Sequence, residues 1–222
     1  MVGNDVVDLL DPDTDPARPR ARFDARVCTP AERSAIARAA DPSAVRWSLW
    51  AAKEAGYKLL RKREPGTIFS PVRFAVTLDS GARAVQGDAW RSGGVIHHGD
   101  HVMDLALARA EGAVHARATW PDDPGGELII GVERLACASG GAGHEIGPAA
   151  LSDGVRALAI RRLATRLGVP GARLSIVKPE RIPALLLDGA PVGADLSLSH
   201  HGCVVAFACR VPSTLCRERL AS

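Results

Sequence analysis

The sequence predicts an α+β fold made of two similar α/β halves packed as a pseudo-dimer. Three observations predict it. Two helical stretches with clear start signals precede a run of period-two hydrophobicity from Phe69 to Leu135. A Gly-rich break at residues 137–147 is then followed by one more helix and further short strands. Finally, GAVHARA (112–118) and GCVVAFA (202–208) share a Gly-x-Val-x-Ala-x-Ala pattern. The expected organisation is a first half over 1–136, a linker over 137–147 and a second half over 148–222.

The elements follow in order. VGNDVVDLL opens as a buried strand and ends in the acidic turn DPDTDP. In TPAERSAIARAA, Thr29 is the N-cap, Pro30 the first helical residue, and Glu32 completes a capping box. A second helix runs from about Ser43 to Arg61 and stops before Pro65–Gly66. VRFAVTL, VMDLALA, AVHARATW and ELIIGVERL alternate as strands. After the break, LSDGVRALAIRRLATRLG reads as a helix capped by Ser152 or Asp153 and ended by Gly168. RLSIV, ALLL, DLSLS and CVVAFACRV complete the second set of strands.

Composition narrows the function. At 222 residues and 46% apolar, the chain can bury a substantial core. No apolar run approaches the roughly 18 residues of a membrane span, and the acidic N-terminus does not resemble a secretory signal. Five cysteines without a CxxC pair argue against a disulfide framework or zinc site and favour a reducing cytoplasm. A net charge of +3 with few aromatics does not describe a nucleic-acid binder. The expectation is a cytoplasmic monomer. Arginine dominates the basic residues, and only Lys53, Lys58, Lys62 and Lys178 are lysine. Three of these four fall on one helix, which asks for a role suited to a compact, far-reaching charge.

That helix contains LWAAKEAGYKLL (49–60). At 100° per residue, Trp50, Lys53, Glu54, Tyr57, Lys58 and Arg61 share one face, while Ala52, Ala55, Gly56 and Leu59 form the core face. Alone, this reads rather as a solvated face with a Glu54–Lys58 pair. Asp5 tips the balance, because a carboxylate inside an apolar strand is costly without a partner. Asp5 and Glu54 together suit one Mg²⁺, with the lysines on phosphate oxygens. Asp8 joins them only if the chain turns after Val7, since a continuing strand points it to the opposite face. A third segment, DLSLSHHG (195–202), runs from a strand into a His-Gly turn.

Together, GNDVVDL, WAAKEAGYK and LSLSHHG resemble the phosphopantetheinyl transferases. Asp5, Trp50, Lys53, Glu54, Lys58, Ser199 and His200 match the motif positions, and RFDARVCTPAE and DGAPVGADLSLSHH resemble the flanking segments. The resemblance implies transfer of phosphopantetheine from coenzyme A to a serine of an apo acyl or peptidyl carrier protein. It implies Mg²⁺ on Asp5, Glu54 and, by the spacing of the small synthases, Asp8. It also implies Glu54 as base, with Asp5 and Lys58 catalytic, and coenzyme contacts from Lys53, Lys58, Ser199 and His200. The Ser-His motif comes last, as in the small holo-acyl-carrier-protein synthases, so the halves stand in permuted order relative to the large surfactin type. A synthase-type chain with a large insertion is the other parse. Val7 replaces an acid of the surfactin type, and Ala190 replaces a lysine before the Ser-His motif.

Two other functions fit parts of the pattern: a non-catalytic carrier-binding module and a Mg²⁺-dependent nucleotide phosphohydrolase. The cluster His97, His98, Asp100 and His101 reads as an exposed hairpin rather than a transition-metal site, since adjacent strand residues point apart. Trp90 and Trp120 read as packing residues. Among Arg156, Arg161 and Arg162, one could reach the coenzyme's extra phosphate.

Overall fold

A computed structural model describes residues 1–79, 83–86, 89–123, 125–136 and 146–213. The first sheet orders its strands β1 (Val2–Asp8), β6 (Ala113–Thr119), β5 (His101–Ala110), β4 (Ala89–His98) and β2 (Ala75–Leu78), with β3 (Arg83–Gln86) also on β4. The second orders β7 (Glu127–Arg134), β11 (Val204–Val211), β10 (Ala190–His201), β9 (Ala184–Leu187) and β8 (Leu174–Val177). Every pairing is antiparallel.

Helices α1 (Ala21–Val27), α2 (Pro30–Arg38) and α3 (Pro42–Arg63) belong to the first half, and α4 (Pro148–Leu167) to the second. Thr29 and Glu32 form the expected capping box on α2. Asp41 caps α3 by accepting from Ala44 N at 2.9 Å. Gly168 ends α4 in the left-handed conformation expected of it. The start of α4 differs from expectation. Gly147 is its N-cap and Pro148 its first residue, so Ser152 and Asp153 lie inside the helix. Helix α1 carries no side-chain cap, which explains why the sequence did not announce it.

The expected domain boundary needs one correction. Strand β7, assigned to the first half, pairs with β11 from Glu127–Val211 to Arg134–Val204. Moving it makes the halves correspond. Each is a strand, a long helix and a run of strands, and in each sheet the opening strand pairs with the last. The two Gly-x-Val-x-Ala-x-Ala segments fall on those equivalent last strands, β6 and β11. Residues 137–145 of the expected linker, together with Cys137 and Cys216, lie outside the described residues. Cys28 and Cys209 are free and buried. Cys203 is disulfide-bonded, which the unpatterned spacing did not lead us to expect.

Each long helix covers its own sheet. Ala51, Ala52, Ala55, Leu59 and Leu60 of α3 are fully buried with Val7, Val114, Ala116 and Leu105. Gly3 allows this approach, because a Cβ there would sit 2.0 Å from Ala55 O. Leu158, Leu163, Val155 and Ala159 of α4 pack on Leu196, Val205 and Phe207. A small cluster of Val6, Ala113, Val204 and Ala206 joins the halves.

The junction itself is polar. Strand β1 is the edge of its sheet and pairs along its length with β6. Its even amides are satisfied by side chains of β10: Val2 N by Asp195, Asn4 N by Ser197 at 3.0 Å, Val6 N by Ser199 at 3.3 Å, and Asp8 N by His201 at 3.3 Å. Lys62 adds a staple from α3, reaching Val2 O at 2.6 Å, Asp195 at 2.8 Å and Leu196 O at 2.9 Å. An open strand edge is thus closed without a shared sheet.

Candidate active site

Asp5 sits at the middle of β1, buried and opposite Ala116. Its Oδ1 accepts from Lys58 Nζ at 2.8 Å and from Ser199 Oγ at 2.6 Å. Lys58 also donates to Asn4 O at 3.2 Å. Glu54 lies one turn before Lys58 on α3, so both project to the same side. These groups line a pocket of about 320 Å³ with Trp50, Val155, Lys178, Leu198, Ser199, His200 and His201. Strand β1, α3, α4 and β10 all contribute, so the site draws on both halves.

Glu54 carries the unusual electrostatics. Burial, with the nearby Asp5 charge, pushes its carboxyl up to about 7, against the pull of Lys58. Among the described residues, no hydrogen bond or ion pair reaches that carboxylate. Two acids therefore share one lysine, and of the two that lysine bonds Asp5. His200 is held below the usual imidazole range, first by burial and then by Lys58 and Lys178.

A second pocket of about 180 Å³ continues from the first. Lys58, Lys178 and Leu198 border both. Tyr57, Arg61, Lys62 and Arg181 line the far part. The site thus runs from an acidic end at Asp5 and Glu54 into a groove lined by cations.

The structure brings together Asp5, Glu54, Lys58, Ser199 and His200, and separates two expected members. Lys53 does not share the open face. It is 0% exposed, pairs with Glu32 at 2.8 Å and donates to Phe74 O at 2.6 Å. Glu32 also accepts from Thr29 N and Val76 N, so this buried pair ties α2, α3 and β2 together. Asp8 is likewise corrected as a metal ligand. The strand continues through it, placing it on the face opposite Asp5. Both of its oxygens are held by Arg134 at 2.7 Å, and it accepts from Leu10 N and Cys203 N. Ser199 borders the pocket, but its hydroxyl is committed to Asp5 and Val6 N.

The remaining expectations resolve simply. Val7 is core, 0% exposed, and Ala190 is exposed at the start of β10. No group of three or more potential metal ligands occurs among the described residues. His98 stacks on Phe74 at 4.3 Å, and His101 contacts Glu64 at 2.7 Å. Trp120 is packed, with Arg63 over its ring at 4.7 Å, while the Trp90 side chain lies outside the described residues. Arg161 turns away to Glu133. Sequence reasoning missed Lys178 and Arg181 as site residues. The scarcity of lysine was a usable signal for the first.

Comparison with known proteins bears on this geometry. Residues 1–106 match the family model of the 4'-phosphopantetheinyl transferase superfamily. Over this stretch, just under half of the chain, the sequence is similar to that superfamily. The match spans the elements carrying Asp5, Glu54 and Lys58 and ends before the strand carrying Ser199 and His200. The two paired α/β halves are consistent with the phosphopantetheinyl transferase fold. No curated protein matches the chain. No helix among the described residues is long and apolar enough to cross a membrane.

The superfamily implies a divalent cation, and the residues fit one. Asp5 and Glu54 supply two carboxylates at one pocket, and among the described residues no counter-charge is bonded to Glu54. Mg²⁺ commonly takes one or two protein carboxylates and completes its shell with water and phosphate.

Proposed function

We propose that this chain transfers phosphopantetheine from coenzyme A to a serine of an apo carrier protein, in a Mg²⁺-dependent reaction that yields the holo carrier and adenosine 3',5'-bisphosphate. The superfamily supports the general transfer, and one observation carries the finer reading. Asp5 and Glu54, with a single lysine between them, open directly onto a groove bordered by Lys58, Lys178, Arg61 and Arg181. Acids for a cation beside cations for phosphates suit a pyrophosphate substrate.

Asp5 and Glu54 would hold Mg²⁺, which when bound supplies charge neutralisation on phosphate oxygens. Glu54, with its carboxyl lifted to about 7 by burial and Asp5, accepts the serine proton directly or through water. The serine oxygen attacks the phosphorus that carries pantetheine, and the bond from that phosphorus to the adenosine bisphosphate oxygen breaks. Lys58 faces the leaving phosphate and offsets its growing charge. His200, at the rim on β10, meets the nucleotide end.

The test is the intact mass of an apo carrier protein after incubation with this protein, coenzyme A and Mg²⁺, with an EDTA control. The expected result is a gain of one phosphopantetheine that EDTA prevents. Binding of coenzyme A without transfer across a panel of carriers would favour the binding module. Hydrolysis without carrier would favour the phosphohydrolase.

A further inference from the structure

We infer that Lys178 grips the coenzyme's pyrophosphate beside Lys58. The inference rests on the transferase reading and adds a residue that none of the three motifs contains. Lys178 precedes a short 3-10 turn, Pro179–Arg181, in the connection between β8 and β9. It borders both pockets, as Lys58 does, and so stands where the acidic end meets the cationic groove.

Its surroundings are those of an anion grip. Among the described residues, Lys178 has no hydrogen-bond or ion-pair partner. The groups acting on its charge are Arg156 from α4 and Lys58 from α3, and Lys178 in turn acts on His200 from β10. Burial first, then Arg156 and Lys58, lower its pKa. Crowded cations repel one another unless something negative enters between them.

The backbone holds this lysine in place. Glu180 and Arg181 both adopt positive φ, at 49° and 65°, in a region that non-glycine residues avoid. Such strain persists only where the surroundings impose it, and it gathers at ligand clamps. Here Arg61 of α3 donates to Glu180 O at 3.3 Å, and Ile182 N closes the turn on Pro179 O at 2.9 Å. The turn thereby sets Lys178 and Arg181 along one pocket. Lys178 is the nearer of the two to the acids, since it alone also borders the Asp5–Glu54 pocket. The reacting phosphates belong beside those acids, so Lys178 meets the pyrophosphate rather than a more distant phosphate.

The experiment is calorimetric binding without Mg²⁺ of coenzyme A, and of coenzyme A lacking its 3'-phosphate, to wild type, Lys178→Ala and Lys178→Arg. Melting curves check that each variant folds. Removing one charge-assisted phosphate contact should weaken binding about tenfold or more. Lys178→Ala should weaken both ligands by the same factor, and Lys178→Arg should recover most of the loss. Unchanged binding in Lys178→Ala, or a loss confined to the 3'-phosphorylated ligand, overturns the inference while leaving the transferase reading intact. Failure of the wild type to bind either ligand removes the reading on which it rests.

Discussion

The hydroxyl of Ser199 donates to Oδ1 of Asp5 across 2.6 Å, so a strand of the second sheet orients an acid of the first. Ser199 Oγ itself accepts from Val6 N at 3.3 Å, which fixes its direction. Partners of this kind that orient a metal ligand typically change metal affinity about 10–100-fold when removed. Ser199→Ala should therefore raise the Mg²⁺ concentration giving half-maximal transfer by about tenfold. Coenzyme A binding measured without Mg²⁺ should stay unchanged, and Ser199→Thr should recover part of the loss. Weakened metal-free coenzyme binding in Ser199→Ala would assign the hydroxyl to the coenzyme instead.

Glu54 should show a trade between stability and activity. Its carboxyl lies above the usual range, chiefly through burial and then through Asp5. Its ionised form is therefore disfavoured in the fold. That penalty is absent below the unfolded value, grows as pH rises through the acid range, and is complete above about 7. In EDTA at pH 8, Glu54→Gln should thus be more stable than wild type by about 2 kcal/mol, or roughly 5 °C in Tm. Transfer in Mg²⁺ should fall by at least about a hundredfold. A destabilised Glu54→Gln in EDTA would refute this electrostatic account.

How much was legible follows from where the signals lay. Thr29, Glu32, Pro30 and Gly168 announced helix ends because capping is local chemistry. Asp5, Glu54 and Lys58 were legible because an acid in an apolar strand and an acid among scarce lysines both need explaining. Lys53 misled because helical periodicity shows which residues share a face, not what packs against that face. Its partner Glu32 stands 21 positions earlier and had already been given a capping role. The place of β7 was hidden for a related reason. Alternation announces a strand but does not choose between two sheets. The polar ladder from β1 to β10 spans 193 positions, a pairing that no local pattern encodes.

Lys53 and Lys58 should separate cleanly in experiment. Lys53 is fully buried with Glu32, so Lys53→Met strands a buried carboxylate. Losing one partner of such a pair costs about 3–5 kcal/mol. Lys53→Met should therefore lower Tm by roughly 10 °C while keeping coenzyme affinity in the protein that remains folded. Lys58→Met should do the reverse, melting within a few degrees of wild type with transfer largely lost. Comparing melting curves with transfer rates per folded molecule decides the point. An intact fold with weakened coenzyme binding in Lys53→Met would return that lysine to the site.

The last prediction concerns acid. Burial alone would raise Asp8, but the bidentate Arg134 contact and the amides of Leu10 and Cys203 outweigh it, and its pKa is lowered. A carboxylate with a lowered folded value contributes stability above its unfolded value, near 3.8. That contribution is lost as pH falls through the still lower folded value. The protein should therefore lose stability below about pH 4, with the Asp8–Arg134 pair part of the cause. Arg134→Ala leaves Asp8 buried without its cation, at a cost of about 3 kcal/mol at neutral pH. Its stability should fall less on acidification than that of wild type, because the contact that lowers Asp8 is gone. Denaturant unfolding at pH 7 and pH 3.5 measures both effects, and parallel losses in the two proteins would show that Asp8 does not drive the acid sensitivity.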